Sequence, residues 1–203
     1  MRKNKIETDA TVQKLLSTAR KHFAEKGYAN TALEEIVTES NLTRGALYHH
    51  FKNKKGLFLA VFELVQKEVG ERVEQDALKS EDPWEQLLIG CKAFLSAAVE
   101  EQNLKILLID GPAVLGWESF RAMDEQNSMR HLREQLQDMK NQGYLKPFLS
   151  VDAMTHCLSG AMNEAALWIA DNPDDKNSLE DTISTITNLL EGLKSSEKKS
   201  NKP

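Results

Sequence analysis

Along the chain's 203 residues, apolar side chains return at three- and four-residue intervals almost everywhere, and no segment alternates apolar with polar residues over the length of a strand. A chain patterned this way builds its core from helix faces, so an all-α protein of about nine helices is expected. A first helix opening at Thr8 or Asp9 presents Val12, Leu15, Leu16, Ala19 and Phe23 on one face, and Gly27 supplies the left-handed position that stops it. Thr31 and Glu34 have the spacing of a capping box ahead of a short helix through Leu33, Ile36 and Val37. Asn41 tolerates the left-handed turn that follows, and Thr43 can cap a new helix over about Arg44 to His50. Asn53 is placed to cap a long fourth helix, weakened at Gly70.

Pro83 suits the first turn of a helix and opens a second region. Its expected pieces are a helix from Trp84 to Glu100, a short segment Lys105 to Asp110, an irregular DGPAVLG stretch and a long amphipathic helix from Trp117 to Gln142 that Gly143 ends. Ser150 caps a helix that is apolar over most of its circumference and closes at Asn172-Pro173; Ser178 with Asp181 caps the last one. The chain thus divides into a head at 1–55, a connecting helix at 56–79, a body at 80–195 and a Lys/Ser/Asn-rich tail at 196–203, expected to be disordered.

Charge is divided the same way. Residues 1–55 carry 11 Lys and Arg against 6 Asp and Glu, a surplus of five positive charges; the remainder carries 15 against 25, a deficit of ten. A basic head on an acidic body is expected where one end meets phosphates and the rest must avoid them. The longest aliphatic run, Ile106 to Ile109, is far too short to span a membrane. The basic opening MRKNKIETDA is followed by no apolar stretch of signal-peptide length, so a cytoplasmic protein is expected. Cys91 and Cys157 lie in apolar helical patterns, without metal-ligand spacing, and read as reduced packing residues.

The string LTRGALYHHFKNKKGLF, Leu42 to Phe58, carries the chemistry. On a helix beginning near Thr43, Leu47 and Phe51 turn inward to join Phe23, Ile36 and Leu57 in a small core. Thr43, Arg44, Gly45, Tyr48 and His49 then face outward, with His50 and Lys54 close behind, a set of donors suited to phosphate and base edges of DNA. From the helix start Arg44 can enter a major groove and bond a guanine edge twice, while the small Gly45 and Ala46 let the backbone approach. Tyr48, His50 and Lys54 would lie against the sugar-phosphate backbone, joined by free amides at the helix starts near Thr31 and Asn53. The competing reading, in which Tyr48, His49 and His50 are half-buried packing groups, loses because the periodicity fills the core without them.

Residues from about Ile6 to Leu64 resemble the DNA-binding domain of the tetracycline-repressor (TetR) family: ARKHFAEKGYANTALEEI is similar to its first two helices, and GALYHHFKNKKGLF to its recognition helix and the start of the fourth. The resemblance covers under a third of the chain. It implies phosphate contacts for Tyr48, His50 and Lys54, and positions facing bases or nearby backbone for Arg44, Gly45 and His49. Two residues depart from the pattern: Asn41 stands where the family usually has Gly, and Gly56 where it usually has Glu, leaving that capping box incomplete.

The body resembles the family's variable effector domain only loosely, through DGPAVLGW. The resemblance implies that the last two helices pair with their copies in a second chain. Met154, Leu158, Ala161, Met162, Ala165 and Trp168 of one, with Ile183, Ile186 and Leu190 of the other, are the interface candidates. Such a homodimer presents recognition helices about 34–36 Å apart, matching a palindromic operator on double-stranded DNA. Phe94, Leu104, Leu107, Leu108, Trp117, Phe120, Met123, Met129 and Cys157 are candidate walls of a pocket for an apolar or amphipathic effector, although residues at this spacing are more often plain core. Asp110, Arg121, His131, Asn163 and Glu164 are polar groups that can orient it. A repressor released by a small molecule is the function expected; activation, a nucleoid role, and a helical binding module without DNA are the alternatives. An enzyme is not expected, because His49, His50, His131 and His156 come with no metal spacing, nucleophile elbow or phosphate loop, and no cofactor is implied.

Overall fold

The computed structural model describes residues 2–195, with side chains from Ala10 onward, so the expected disordered tail lies outside the described residues. Eleven α-helical segments and one π-helical turn make up the described chain. They are α1 (Arg2–Asn30), α2 (Leu33–Glu39), α3 (Arg44–Phe51), α4 (Lys54–Ala77), α5 (Pro83–Ala98), α6 (Glu101–Leu104) running into the π turn Lys105–Asp110, α7 (Gly111–Leu115), α8 (Trp117–Gln126), α9 (Ser128–Asn141), α10 (Val151–Asp171) and α11 (Ser178–Glu191). Two compact units result: Met1–Lys67 with Glu100–Phe120, and Glu68–Val99 with Arg121–Pro203.

In the first unit, α2 and α3 pack on α1 around Leu15, Phe23, Ile36, Leu47 and Leu57, all fully buried, while Phe51 is half-buried. Phe58 completes this core, its ring edge-on to both Phe23 and Tyr28 with centroids 5.2 Å away. Asn41 takes the left-handed conformation at φ 52°, so Asn serves where the family usually has Gly. Thr43 Oγ1 accepts the Ala46 amide at 3.1 Å, and Asn53 Oδ1 accepts the Gly56 amide at 2.8 Å. A Cβ at Gly56 would collide with the Phe51 carbonyl oxygen, which explains the second departure.

The structure departs from the sequence pattern at several helix ends. Helix α1 runs through Thr8 and Asp9, so neither starts it. The Thr31–Glu34 box is not formed: Thr31 is buried, and its hydroxyl donates backward to the Gly27 and His22 carbonyls at 2.8 and 3.1 Å. Gly27, at φ 76° and ψ 167°, interrupts α1 as expected, and the carbonyls freed by that interruption claim the nearest hydroxyl. DGPAVLG is not irregular, because Pro112 sits in the first turn of α7. The single helix expected over Trp117 to Gln142 is broken at Asn127, whose φ of −115° and ψ of −97° leave the helical region; its side-chain amide donates to the Met123 carbonyl at 2.8 Å.

The segment from α6 to α7 packs on α1 and α4 within the first unit. Arg20 donates to Asn103 Oδ1 at 3.0 Å, Lys105 to the Glu25 carbonyl at 2.9 Å, and the Tyr28 amide to Asp110 Oδ2 at 2.7 Å. The carboxylate thereby takes an amide left free by the kink at Gly27. Gly111 lies so close to α4 that an added Cβ would stand 2.7 Å from Phe62 Cε2.

In the second unit, α5, α9 and α11 pack against α10. Asp82 caps α5, its Oδ1 accepting the Trp84 and Glu85 amides at 2.9 Å each, a cap the sequence reading overlooked. Ser150 caps α10 as expected, whereas α11 starts at a buried Ser178 without a side-chain cap. Gly70 does not interrupt α4.

Candidate nucleic-acid interface and small-molecule cavity

The N-terminal end of α3 is the most exposed part of the head's chemistry. Thr43, Arg44, Gly45, Tyr48 and His49 are exposed; Ala46 and His50 are half-buried. The eight-residue helix is held from beneath by Leu47 alone among its fully buried residues, which frees the opposite face. The Arg44 guanidinium lies 3.2 Å from Glu34 Oε1 and 5.9 Å from the Tyr48 ring centroid. Tyr48 first and Glu34 second hold it even more firmly protonated than usual. Glu34 thus serves Arg44 rather than a capping box with Thr31.

Helix α2 is clamped to α1 below this face. Glu39 accepts Lys21 Nζ at 2.8 Å and lies 2.7 Å from His22 Nε2, and these hydrogen bonds, Lys21 first, hold its carboxyl below the usual range. Lys26 Nζ reaches Glu35 at 2.8 Å and lowers that carboxyl in the same way. All these groups but His22 stand substantially in water, so the clamp orients α2 more than it stabilises it.

Two residues expected at the DNA face have side-chain partners within the head. The Thr31 hydroxyl is spent inside α1, as described. Lys54 donates to the Ala29 carbonyl at 3.2 Å and sits 4.5 Å from the Tyr28 ring centroid; partial burial pushes its ammonium down, against the opposing pull of Asp110. These contacts occupy one of its three N–H donors.

A cavity of about 490 Å³, within the range that holds a drug-sized ligand, lies wholly in the second unit. Its walls come from the second half of α4 and from α5, α8, α9 and α10. Of the expected wall residues, Phe94 and Met129 line it, as do the polar candidates His131 and Asn163. Leu104, Leu107, Leu108, Trp117 and Phe120 do not: they belong to the first unit, where the Phe120 ring meets Phe62 edge-on with centroids 6.0 Å apart and Trp117 is 65% exposed. Asp110, expected to orient a ligand, is engaged with Tyr28. Met123 and Cys157 are also off the cavity, Cys157 being exposed on α10 rather than packed. The sequence reading missed Val73, Leu87 and Met139, and above all Asp124, a carboxylate inside an otherwise amphipathic helix. Cys91 also faces the cavity; burial pushes its thiol up to about 12.

The expected partner face of α10 is divided. Met154, Leu158 and Met162 are buried within the protomer, as are Ile186 and Leu190 of α11, while Ile183 is half-buried. The outer face instead carries Ala153, Cys157, Gly160, Ala161, Glu164 and Trp168, with Ala165 at its edge. The helix is apolar on both sides, and its small residues mark the outer one.

Residues 15–61 match the family described as bacterial regulatory proteins, tetR family, and residues 84–193 match the tetracyclin repressor-like C-terminal domain. The "Probable acrEF/envCD operon repressor" of Escherichia coli strain K12 is 30% identical over 172 residues, covering 80% of this chain and 77% of that one. The HTH-type transcriptional regulator AcrR of Shigella flexneri is 35% identical over 108 residues, 53% of this chain and only half of the relative's length. The crystal structure of a TetR-family transcriptional regulator from Pectobacterium atrosepticum aligns with a TM-score of 0.80 and 35% identity over 95% of this chain and 98% of that one.

Proposed function

The chain belongs to the TetR family of bacterial regulatory proteins, and on that premise we propose that it is a ligand-responsive transcriptional repressor acting in the cytoplasm. A homodimer grips a palindromic operator through α3. Arg44 reads a guanine edge, exchanging its exposed contact with Glu34 for base contacts, and Tyr48 with His50 touches the backbone. Lys54 joins them with the donors that Ala29 leaves unused. The amides at the starts of α2 and α4 favour phosphate by the sign of their helix dipoles.

The effector is a small amphipathic molecule in the 490 Å³ cavity, and it lowers operator affinity by binding the DNA-free conformation better. A coupling of about 1–3 kcal/mol weakens the operator complex roughly 5–150-fold. The single observation that carries this reading is the outward face of α3, with its arginine, tyrosine and histidines at a capped helix start. Selection of bound sequences from random duplex DNA by the purified chain tests it. A palindrome is expected, and Arg44→Ala should weaken its binding by about 1–3 kcal/mol while relaxing preference at one base pair per half-site. Unchanged preference in the variant refutes the assignment of Arg44.

A further inference from the structure

The cavity's charge is one-sided. Glu74, Asp124, Glu134 and Asp138 line it, and no lysine or arginine does. Glu74, Glu134 and Asp138 are exposed at its rim, Glu134 in a loose ion pair of 3.9 Å with Arg130. Asp124 is different: it is only 8% exposed, and its Oδ2 has no hydrogen-bond partner among the described residues. Ser159 bonds the carboxylate, and Arg121 Nη1 forms an ion pair with Oδ2 at 3.6 Å without hydrogen-bonding it, while Arg121 Nη2 lies 2.9 Å from His156 Nδ1. The guanidinium offsets part of the burial, but an oxygen held in the interior without a hydrogen bond stays costly until a strong donor or a second cation reaches it.

The rest of the wall fits the same visitor. Val73, Leu87 and Phe94 supply apolar surface, and Met129, Met139 and Met162 supply polarizable thioethers that adapt to irregular shapes. An aromatic face and thioethers favour a diffuse positive charge over a compact one. A carboxylate or phosphate ligand would meet four carboxyl groups, with the exposed His131 imidazole as the one basic group lining the wall and no lysine or arginine to receive it.

We propose that the cavity takes an amphipathic organic cation, a positive centre flanked by apolar groups, with Asp124 as its counter-charge. The inference deepens the effector reading above and rests on it. The full chain is loaded with the neutral fluorescent probe N-phenyl-1-naphthylamine, then titrated with tetraphenylphosphonium or with tetraphenylborate, ions of similar shape and opposite charge. The phosphonium should displace the probe at a concentration at least about tenfold below that of the borate. Asp124→Asn should erase most of that preference, and Asp124→Glu should keep most of it. If Asp124→Asn does not fold, the pair Glu74→Gln and Asp138→Asn, both at exposed positions, should still cut the preference at least about threefold. Probe binding with equal displacement by the two ions, or a preference that survives these exchanges, overturns the cation inference and leaves the effector cavity standing. Failure of the probe and both ions to bind overturns the cavity reading itself.

Discussion

Asp110→Ala tests how firmly the π-helical segment holds the end of α1. The Oδ2–Tyr28 N distance of 2.7 Å is that of a charge-assisted hydrogen bond, and the contact is partly buried. Such a bond contributes about 1.5–3 kcal/mol, and deleting the acceptor leaves the Tyr28 amide without a partner beside Gly27, where the helix has already surrendered its own carbonyl. A loss of about 2 kcal/mol is expected, with about half that for Asp110→Asn, which keeps a neutral acceptor of the same shape. For a chain of this length about 2 kcal/mol lowers the melting temperature by roughly 4–8 °C. Urea denaturation followed by circular dichroism gives the energy, and hydrogen exchange at the Tyr28 amide shows whether the loss is local. Removing the carboxylate also removes the charge that opposes the burial of Lys54, so the lysine should titrate lower still in the variant. Stability within about 0.5 kcal/mol of the parent, with Tyr28 still protected from exchange, would refute the reasoning.

Gly111→Ala should cost about 1–3 kcal/mol, because its Cβ would stand 2.7 Å from Phe62 Cε2 and 3.0 Å from the Ile106 carbonyl oxygen; an unchanged denaturation midpoint would contradict the close approach. Burial raises the Asp124 carboxyl above its ordinary 3.8, with Glu125 adding to the shift and Arg121 and Ser159 opposing it. The folded state therefore binds this proton more tightly than the unfolded chain does, and the group's contribution is fully present below the unfolded value and lost as pH rises through the folded one. Asp124→Asn should thus gain stability relative to the parent as pH rises above the ordinary 3.8; a relative gain on acidification instead would reverse the sign. Ala161→Arg on the outer face of α10 should yield monomers in sedimentation equilibrium and weaken operator binding, whereas a dimer of unchanged affinity would move the interface elsewhere.

The head was legible because each of its signals is local. Thr43 and Asn53 each accept an amide three residues on, Asn41 turns its own backbone left-handed, and the inward Leu47 follows from helical period alone. Thr31 misled for the same reason: its spacing to Glu34 is that of a box, but carbonyls freed nine and four residues earlier won the hydroxyl. In the body, apolar period says that a face is covered but not by what. Leu107 and Phe94 look alike in sequence, yet one is packed in the unit of α1 and the other lines the cavity. Met154 and Trp168 share one helix, the first buried and the second exposed, which no one-helix pattern could have apportioned because α10 is apolar nearly all round.

The unit that carries α3 is assembled from two separated stretches of sequence, which limits how such regulators can be recombined. A chimaera that joined this reading head to a foreign sensor with a single crossover after Lys67 would leave Arg20, the Glu25 carbonyl and the Tyr28 amide facing a stranger's side chains in place of Asn103, Lys105 and Asp110. It would also strip Phe62 of the Gly111 backbone that now covers it, baring an aromatic ring to aggregation. A working graft has to import residues 100–120 along with the head, so the exchangeable module is a matched pair of segments rather than an N-terminal fragment.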